Sequence, residues 1–370
     1  LSPDFHVRQS DRFALYEARF EALRTAGRVY ACYETAEELE LKRKILAGRG
    51  LPPIYDRAAL QLSEPPAGIA PHWRFKLDHA SPIAWDDLIR GPQQLDPRLM
   101  SDPVIRRADG SWLYMLPSVI DDIDMGVTHV VRGEDHVTNT GLQLQMFAAL
   151  GAPVPSFGHA ALLTGSEGKL SKRLGSLGCE DFRAEGIEPI ALKALLARIG
   201  TSDPVEALTN MDQLIAGFDF ARFGRAPARF DSDELKTLNA RILHMTPYDA
   251  VADRLPPGVD AAGWDAIRPN IERLSDVADW WSVVEGPVSC ASDERDYLAE
   301  AAAAAEAIDW SADPWAQLTS ALKERTGRKG KPLFLPLRQA LTGRDHGPDM
   351  AALLPLIGKE RALKRLRSAA

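Results

Sequence analysis

The sequence predicts a two-part protein, in which a mixed α/β region is followed by an all-helical region. One observation is an apolar strand pattern at 127–131, which runs through a charged turn into a helical pattern at 139–150. A strand, a turn and a helix in this order place ligands at the carboxyl edge of a parallel sheet. The other observation is that residues 261–370 contain helical patterns and no convincing strand pattern, which predicts a separate bundle.

The composition is that of a globular protein with substantial cores. The chain has 370 residues, enough for two or three domains, with 45% hydrophobic and 26% charged residues. No apolar run approaches the length of a membrane span, and no charged-then-apolar leader opens the sequence. The three cysteines, Cys32, Cys179 and Cys290, are far apart. They predict a reducing, cytoplasmic compartment and exclude a clustered cysteine zinc site.

The charge is unevenly distributed along the chain. The net charge of −8 argues against a nucleic-acid partner, but residues 321–370 hold twelve Lys and Arg residues against four Asp and Glu residues. Local patches rather than global charge determine phosphate binding. A basic helix end that packs on its own domain explains the same pattern, and the charge alone favours neither interpretation.

The other elements of the first part follow from periodicity. Apolar residues recur at helical spacing over 11–26, between a plausible cap at Ser10 and a helix-ending Gly27. Strands are predicted at 28–33, 73–77 and 104–107, a second helix at 34–48, and a proline-rich loop at 49–72.

A short basic loop follows a predicted apolar strand at 160–163. It reads Lys169-Leu170-Ser171-Lys172-Arg173 and has glycines on both sides. Such a loop can close over a polyphosphate, with lysine as a flexible point charge and arginine as a fork for phosphate oxygens. For a bare string of this kind, a solvated surface loop is the favoured interpretation, because such strings are common. The surrounding sequence favours the phosphate-binding interpretation.

Five segments carry a family resemblance, and they appear in order across nearly the whole chain. They are residues 8–13; 73–76 with 87–91 and 109–110; 114–122 with 125–136 and 139–140; 169–173; and 335–343 with 356–361. The most specific stretch includes Arg132-Gly133-Glu134-Asp135-His136. Together the segments resemble the bacterial-type glutamyl-tRNA synthetases, a family of class I aminoacyl-tRNA synthetases.

The resemblance implies a Rossmann-like catalytic domain, a helical stem-contact region and a helical anticodon-binding bundle. It assigns 1–30 to the remainder of the first catalytic half, 31–110 to an acceptor-end insertion, 111–165 to the second catalytic half, 166–245 to the lysine loop and stem-contact region, and 246–370 to the anticodon-binding domain. The family opens with a strand and a His-x-Gly-His-type motif, which this sequence lacks. We therefore expect that a natural N-terminal part precedes Leu1.

The activity implied by the resemblance is ATP-dependent ligation of L-glutamate to tRNA(Glu) through a glutamyl-adenylate. By resemblance, Lys169, Lys172 and Arg173 are catalytic, and Lys172, Asp135 and Leu163 bind ATP. Mg²⁺ is expected with ATP, held largely by phosphates and water. An alternative role for Asp135 is a helix N-cap. The resemblance also leads us to expect a monomer.

The glutamate site implied by the resemblance contains Tyr114, Arg132 and Ser118. Arg132 would pair with a carboxylate of glutamate, for which its guanidinium fork is suited. A structural salt bridge to Glu134, Asp135 or Asp121 is the competing interpretation. Tyr114 is nearly as readily explained as a core tyrosine. His136 and His159 are interpreted as structural.

At the other end of the chain, the resemblance assigns anticodon contacts to Arg338, Asn270, Pro348 and Met350. Family members that require cytosine at the third anticodon position carry arginine where this chain has Asn270. Asparagine can pair with more than one base edge, so relaxed selection that also admits tRNA(Gln) is a hypothesis. The competing interpretation is that Asn270 is ordinary surface and that Arg268 reads the base.

Two further expectations complete the sequence-based account. Some family members carry a cysteine-rich zinc knot in the acceptor insertion, but Cys32 has no neighbouring cysteine in the sequence, so we predict no zinc. The alternative function is a non-catalytic tRNA-binding relative. A pure binding protein has no use for a phosphate-closing loop, and the helical region 246–370 argues against a short relative that modifies a base.

Overall fold

The computed structural model describes residues 3–62, 64–165, 178–288 and 293–370, together with the backbone of 168–169. These residues form two compact units. The first contains the described residues of 1–164, 200–202 and 219–228, and the second those of 165–199, 203–218 and 229–370.

The N-terminal half of the chain combines helices with short strands. The helices are α1 Phe13–Thr25, α2 Ala36–Gly48, α3 Met115–Asp124 and α4 Val137–Ala149. The strands are β1 Val29–Cys32, β2 His72–Phe75, β3 Ile83–Asp87, β4 Gly91–Leu95, β5 Val104–Arg106, β6 His129–Gly133, β7 Ser156–Ala160, β8 Leu163–Gly165, β9 Gly168–Lys169 and β10 Ala228–Arg229.

The central sheet has four strands in the order β4-β3-β7-β6. Strands β6 and β7 are parallel and pair over five residues, from His129 with Ser156 to Gly133 with Ala160. Strand β3 is also parallel to β7, and β4 returns antiparallel to β3. The parallel strand, turn and helix predicted after residue 127 are confirmed. The bounds of the strand predicted at 160–163 are wrong: β7 spans Ser156–Ala160, and its buried run includes the polar His159, which an apolar pattern does not reveal.

Residues 31–110, which we expected to form one insertion, divide between two sheets. Strands β3 and β4 belong to the central sheet, whereas β1, β2 and β5 form a separate three-stranded sheet. The central sheet therefore takes one of its edges from a segment that precedes the most specific family motif.

Helix α2 begins with a capping box, in which Thr35 and Glu38 satisfy each other's backbone N–H groups.

Helix α1 is tied to α3 by a buried carboxylate. Asp121 accepts hydrogen bonds from Gln9 Nε2, Arg12 Nε and the Tyr16 hydroxyl, all at 2.8–2.9 Å. Burial and this carboxylate raise the pKa of Tyr16 to about 12. Ser10 does not cap α1 as predicted, because a 3-10 turn at Gln9–Arg12 comes first and the Ser10 hydroxyl donates to Asp11.

The C-terminal part is helical. Its helices are α5 Cys179–Ala184, α6 Pro189–Arg198, α7 Met211–Ala216, α8 Ser232–Met245, α9 Ala261–Ile267, α10 Asp276–Glu285, α11 Arg295–Ala307, α12 Pro314–Thr326, α13 Lys331–Thr342, α14 Met350–Ile357 and α15 Lys359–Ala369. The helical patterns of the sequence are shorter in the structure where Pro269 and Gly358 interrupt them. No helix of the described chain is long and apolar enough to cross a membrane.

Arg365 joins three helices of the bundle from within its core. Its guanidinium donates to the carbonyl of Leu341 near the end of α13, and to those of Val283, Val284 and Gly286 at the end of α10. Carbonyls at helix ends have no intrahelical donor, and a cation there also complements the helix dipole. Burial lowers the pKa of Arg365 to about 10, so the side chain stays charged at neutral pH.

Replacing Arg365 by methionine should destabilise the protein, because three buried carbonyls and one partly buried carbonyl lose their donor. We expect a loss of about 3 kcal/mol or more in the free energy of unfolding of the helical unit, measured by urea denaturation. The matched control is Arg367→Met, since Arg367 is half-exposed and pairs with an exposed Glu306. The control should change the free energy by about 0.5 kcal/mol or less. Equal effects of the two substitutions would contradict this role of Arg365.

Candidate functional site

Arg132 lies near the carboxyl end of β6, where the parallel strands of the central sheet end together. It is paired in register with His159 of β7, so the two side chains extend on the same face of the sheet. Helix α4 begins five residues later and packs beside this strand end. The position is the one at which open parallel sheets bind their ligands.

The guanidinium of Arg132 is held by four neutral acceptors. Its Nη2 donates to Thr140 Oγ1 at 2.7 Å and to Gln143 Oε1 at 2.6 Å. Its Nη1 donates to the Tyr114 hydroxyl at 3.0 Å, and its Nε to His159 Nε2 at 3.4 Å. A guanidinium has five N–H groups. Within the described chain, one Nη1 hydrogen of Arg132 therefore remains available to a ligand.

The three carboxylates that competed for Arg132 in the sequence analysis do not contact it. Glu134 pairs instead with Arg90, and Asp121 pairs with Arg12. Among the ion pairs of the described residues, none involves Arg132. The interpretation of Arg132 as one partner of a structural salt bridge is therefore wrong for the described residues.

Asp122 interacts electrostatically with Arg132 without contacting it. Burial raises the pKa of Asp122 to about 6, and the nearby cation of Arg132 opposes this rise. With this pKa, Asp122 is mostly ionised at neutral pH and takes up a proton as the pH falls through about 6.

Tyr114 and Ser118 lie on either side of Arg132 at the start of α3. Tyr114 is 50% exposed and accepts from Arg132, so its own hydroxyl hydrogen is free to donate to a ligand. The interpretation of Tyr114 as a core residue is excluded by this exposure. Ser118 Oγ accepts from Gln143 Nε2 at 2.8 Å and donates to the carbonyl of Met115 at 2.9 Å. The Ser118 hydroxyl thus steadies Gln143, which in turn holds Arg132.

Asp135 and Leu163 lie where the turns leave the central sheet. Asp135 is exposed, in a 3-10 turn at Glu134–His136. A Cβ at Gly133 would come within 2.5 Å of Asp135 Oδ1, so the carboxylate occupies the space that a side chain at position 133 would need. Asp135 makes no side-chain cap at the described start of α4. Leu163 is half-buried and begins β8.

The basic loop falls largely outside the described residues. Lys172 and Arg173 lie outside them, and for Lys169 the structure gives only its backbone position at the end of β9. Their assignment as catalytic residues therefore stays a prediction.

In the helical unit, Arg338 is held against the turn that follows α13. Its Nη1 donates to the carbonyl of Pro348 at 3.0 Å, and burial lowers its pKa. The turn is close-packed, because a Cβ at Gly347 would overlap the ring of Trp280. The side chain of Met350 is 2% exposed in the core, so it is not available for stacking on a base. Pro348 is likewise buried, and its carbonyl positions Arg338.

Asn270 is exposed at the end of a 3-10 turn at Arg268–Asn270. Arg268, the competing candidate for base reading, donates to the carbonyl of Thr246 at 3.0 Å and pairs with Asp265 at 3.0 Å. Of the two neighbours, Asn270 is therefore the one with its side chain at the surface, and Arg268 is engaged within the protein.

Comparison with known proteins identifies the family. Residues 1–237 match the family described as "tRNA synthetases class I (E and Q), catalytic domain", and residues 234–370 match "Anticodon binding domain". The chain belongs to the class I tRNA synthetases (E and Q). The family resemblance inferred from the sequence and the α/β-plus-helical fold class are thereby confirmed.

Named relatives of this family cover the whole chain. The chain is 74% identical to glutamate–tRNA ligase 1 of Rhizorhabdus wittichii and 65% identical to glutamate–tRNA ligase 2 of Sphingopyxis alaskensis, in each case over 100% of this chain. It spans 85% and 84% of those proteins. A crystal structure of a glutamate tRNA ligase from Elizabethkingia meningosepticum has a similar fold, with a TM-score of 0.77 at 24% identity over 100% of this chain and 84% of that one.

Sequence reasoning missed several residues of this synthetase's arginine site. Thr140 and Gln143 were not singled out, and His159 was interpreted as merely structural. One signal was available, since Thr140 and Gln143 are three residues apart and thus share a face of a helix that begins just after the family motif. Contact between His159 and Arg132 depends on strand register, which the sequence does not specify.

A second polar cluster lies in the small sheet, in the region where some family members bind zinc. The potential ligand atoms of Cys32, Glu34 and His72 lie within 4.8 Å of one another. The sequence analysis considered only a second cysteine as partner and did not find this group. His72 Nε2 is buried and has no hydrogen-bond partner among the described residues.

The surroundings of this cluster oppose a further cation. The Tyr55 hydroxyl donates to Glu34 at 2.9 Å, and Lys42 Nζ lies 3.3 Å from the same carboxylate. Burial and the charge of Arg74 both lower the pKa of His72. Burial raises the pKa of Cys32 to about 11, whereas zinc requires the thiolate. The cations of Lys42 and Arg74 therefore count against a bound metal at this cluster, whereas a neutral His72 would suit one.

Proposed function

We propose that this chain ligates L-glutamate to tRNA(Glu) in two steps. The α-carboxylate of glutamate attacks the α-phosphorus of ATP, and pyrophosphate leaves to give glutamyl-adenylate. A ribose hydroxyl of the terminal tRNA adenosine then attacks the acyl carbon, and AMP leaves. The support is family membership over the whole chain and relatives named glutamate–tRNA ligase at up to 74% identity.

The observation that carries the substrate assignment is the state of Arg132. It is a half-buried cation with neutral acceptors on four N–H groups and no contacting carboxylate among the described residues. A glutamate carboxylate would supply the missing charge. It would accept from the remaining Nη1 hydrogen and from the Tyr114 hydroxyl, so the two donors act together in place of a bidentate fork.

We propose that Lys169, Lys172 and Arg173 stabilise the charge that gathers on the α-phosphate and on the leaving pyrophosphate. Little covalent help is needed in this step, because positioning and positive charge supply most of the rate. Asp135 and Leu163 are proposed to line the ATP site, with Mg²⁺ held mainly by phosphates and water. The proposal rests on the family resemblance of these residues.

We propose that residues 246–370 read the anticodon, with Arg338 and the exposed Asn270 as contacts. Arginine planes and amide groups are suited to splayed bases. An amide at position 270 offers cytosine no bidentate guanidinium, so we propose relaxed selection that admits tRNA(Gln). The proposed protein acts as a monomer in the cytoplasm, as the family resemblance and the three dispersed cysteines suggest.

Charging assays with the full-length protein test both parts of this proposal. With ATP and labelled glutamate, the wild type should acylate both tRNA(Glu) and tRNA(Gln). Asn270→Arg should still charge tRNA(Glu), but its activity on tRNA(Gln) should fall about tenfold further than its activity on tRNA(Glu). The reason is that a well-placed side-chain contact to one base contributes ~1–3 kcal/mol of discrimination. Arg268→Lys is the matched control, and it should leave the preference unchanged. Charging of tRNA(Glu) alone would contradict the relaxed-selection hypothesis. The absence of both glutamate-dependent charging and pyrophosphate exchange would contradict the ligase assignment.

We also propose that the protein functions without zinc, since Lys42, Tyr55 and Arg74 already surround the Cys32 cluster. Elemental analysis of protein purified without chelators should find far less than one zinc per chain, and added zinc should not raise the melting temperature. One equivalent of zinc that Cys32→Ser removes would show that the cluster is a metal site.

A further inference from the structure

Asp87 and His159 form a pair with no exposed side-chain surface beneath Arg132. The His159 Nδ1 lies 2.5 Å from Asp87 Oδ2. The other carboxylate oxygen accepts from the backbone N–H groups of His159, Ile89 and Arg90 at 2.9–3.0 Å. The carboxylate thus has a fixed orientation, set by backbone N–H groups of strand β7 and of the turn after β3.

The pair determines which nitrogen of His159 carries the proton. Burial opposes the charge of Asp87, but the three backbone N–H groups and His159 together lower its pKa, so it is an ionised acceptor. Nδ1 must then be the donor. Burial lowers the pKa of His159, so the ring is neutral and its Nε2 has a free lone pair.

That lone pair faces the two groups that hold the site together. Thr140 Oγ1 lies 2.9 Å from His159 Nε2, and Arg132 Nε donates to the same nitrogen at 3.4 Å. Thr140 also accepts from Arg132 Nη2. A proton on Nε2 would leave Arg132 Nε without its acceptor, so the opposite tautomer of His159 costs Arg132 one of its four hydrogen bonds.

We propose that Asp87 and His159 are positioning residues for glutamate binding, which fix the acceptor tautomer that aims Arg132 at the substrate carboxylate. The inference rests on the proposed function and extends it to two residues that do not touch substrate. It also gives the Asp87–Gly91 turn a role in the amino-acid site, although that turn lies in the segment first assigned to an insertion.

The isosteric change Asp87→Asn tests this role. An asparagine that keeps its carbonyl oxygen on the backbone N–H groups presents NH₂ to His159 Nδ1, which must then accept and move its proton to Nε2. In glutamate-dependent ATP–pyrophosphate exchange with saturating tRNA(Glu), we expect KM for glutamate to rise about 10- to 100-fold. KM for ATP should change less than about twofold, because the lost hydrogen bond from Arg132 to His159 affects only the proposed glutamate site.

Asp102→Asn is the matched control. Asp102 is 2% exposed in the same unit and also accepts from side chains and a backbone N–H, but its partners include Tyr30 and Arg57 and not Arg132. It should lower the melting temperature while leaving KM for glutamate unchanged. Equal KM effects of the two substitutions, or none from Asp87→Asn in a folded protein, would overturn the positioning role.

A second measurement needs no substitution at Asp87. Proton–nitrogen spectra of the wild type labelled with ¹⁵N-histidine should contain one neutral ring protonated on Nδ1 with a strongly shifted proton, absent in His159→Asn. A His159 ring protonated on Nε2 would refute the proposal even if Asp87→Asn does not fold. Absence of glutamate-dependent exchange in the wild type would instead refute the proposed function, so the two failures are distinguishable.

Discussion

The cation of Arg132 is the group on which the proposed amino-acid site depends. Its position is set by residues from three directions: His159 on the adjacent strand, Thr140 and Gln143 on α4, and Tyr114 at the start of α3. Each hydrogen bond removes a rotamer that the long side chain would otherwise sample. The site is thus preorganised before substrate binds, and less conformational entropy is lost on binding.

Two arginines of this chain, one buried and one half-buried, have different roles. Arg365 has four backbone carbonyls around it and joins the helices of the bundle. Arg132 also has four acceptors, but all of them are side chains, and it lies beside the exposed Tyr114. The arginine enclosed in the core stabilises the fold, whereas the half-buried arginine can be reached by an anion.

The sequence was sufficient for the family and the two-part architecture, because these depend on periodicity and on contiguous motifs. It was insufficient where contacts depend on register or on distant segments. Asp87 lies 72 residues from His159 and joins it only because β3 and β7 are adjacent and parallel. Likewise, Cys32 and His72 come together through the pairing of β1 with β2. Met350 was assigned to the anticodon contacts by family resemblance, but on helix α14 its side chain is buried in the core.

The central claim is that Arg132 binds a substrate carboxylate without leaving its four acceptors. A crystal structure of the full-length protein with L-glutamate tests this most directly. The account predicts a carboxylate within hydrogen-bond distance of both Arg132 Nη1 and the Tyr114 hydroxyl, with Nη2 still bound to Thr140 and Gln143. A glutamate bound elsewhere, or a guanidinium that rotates away from Thr140 and Gln143 to form a bidentate pair, would contradict it.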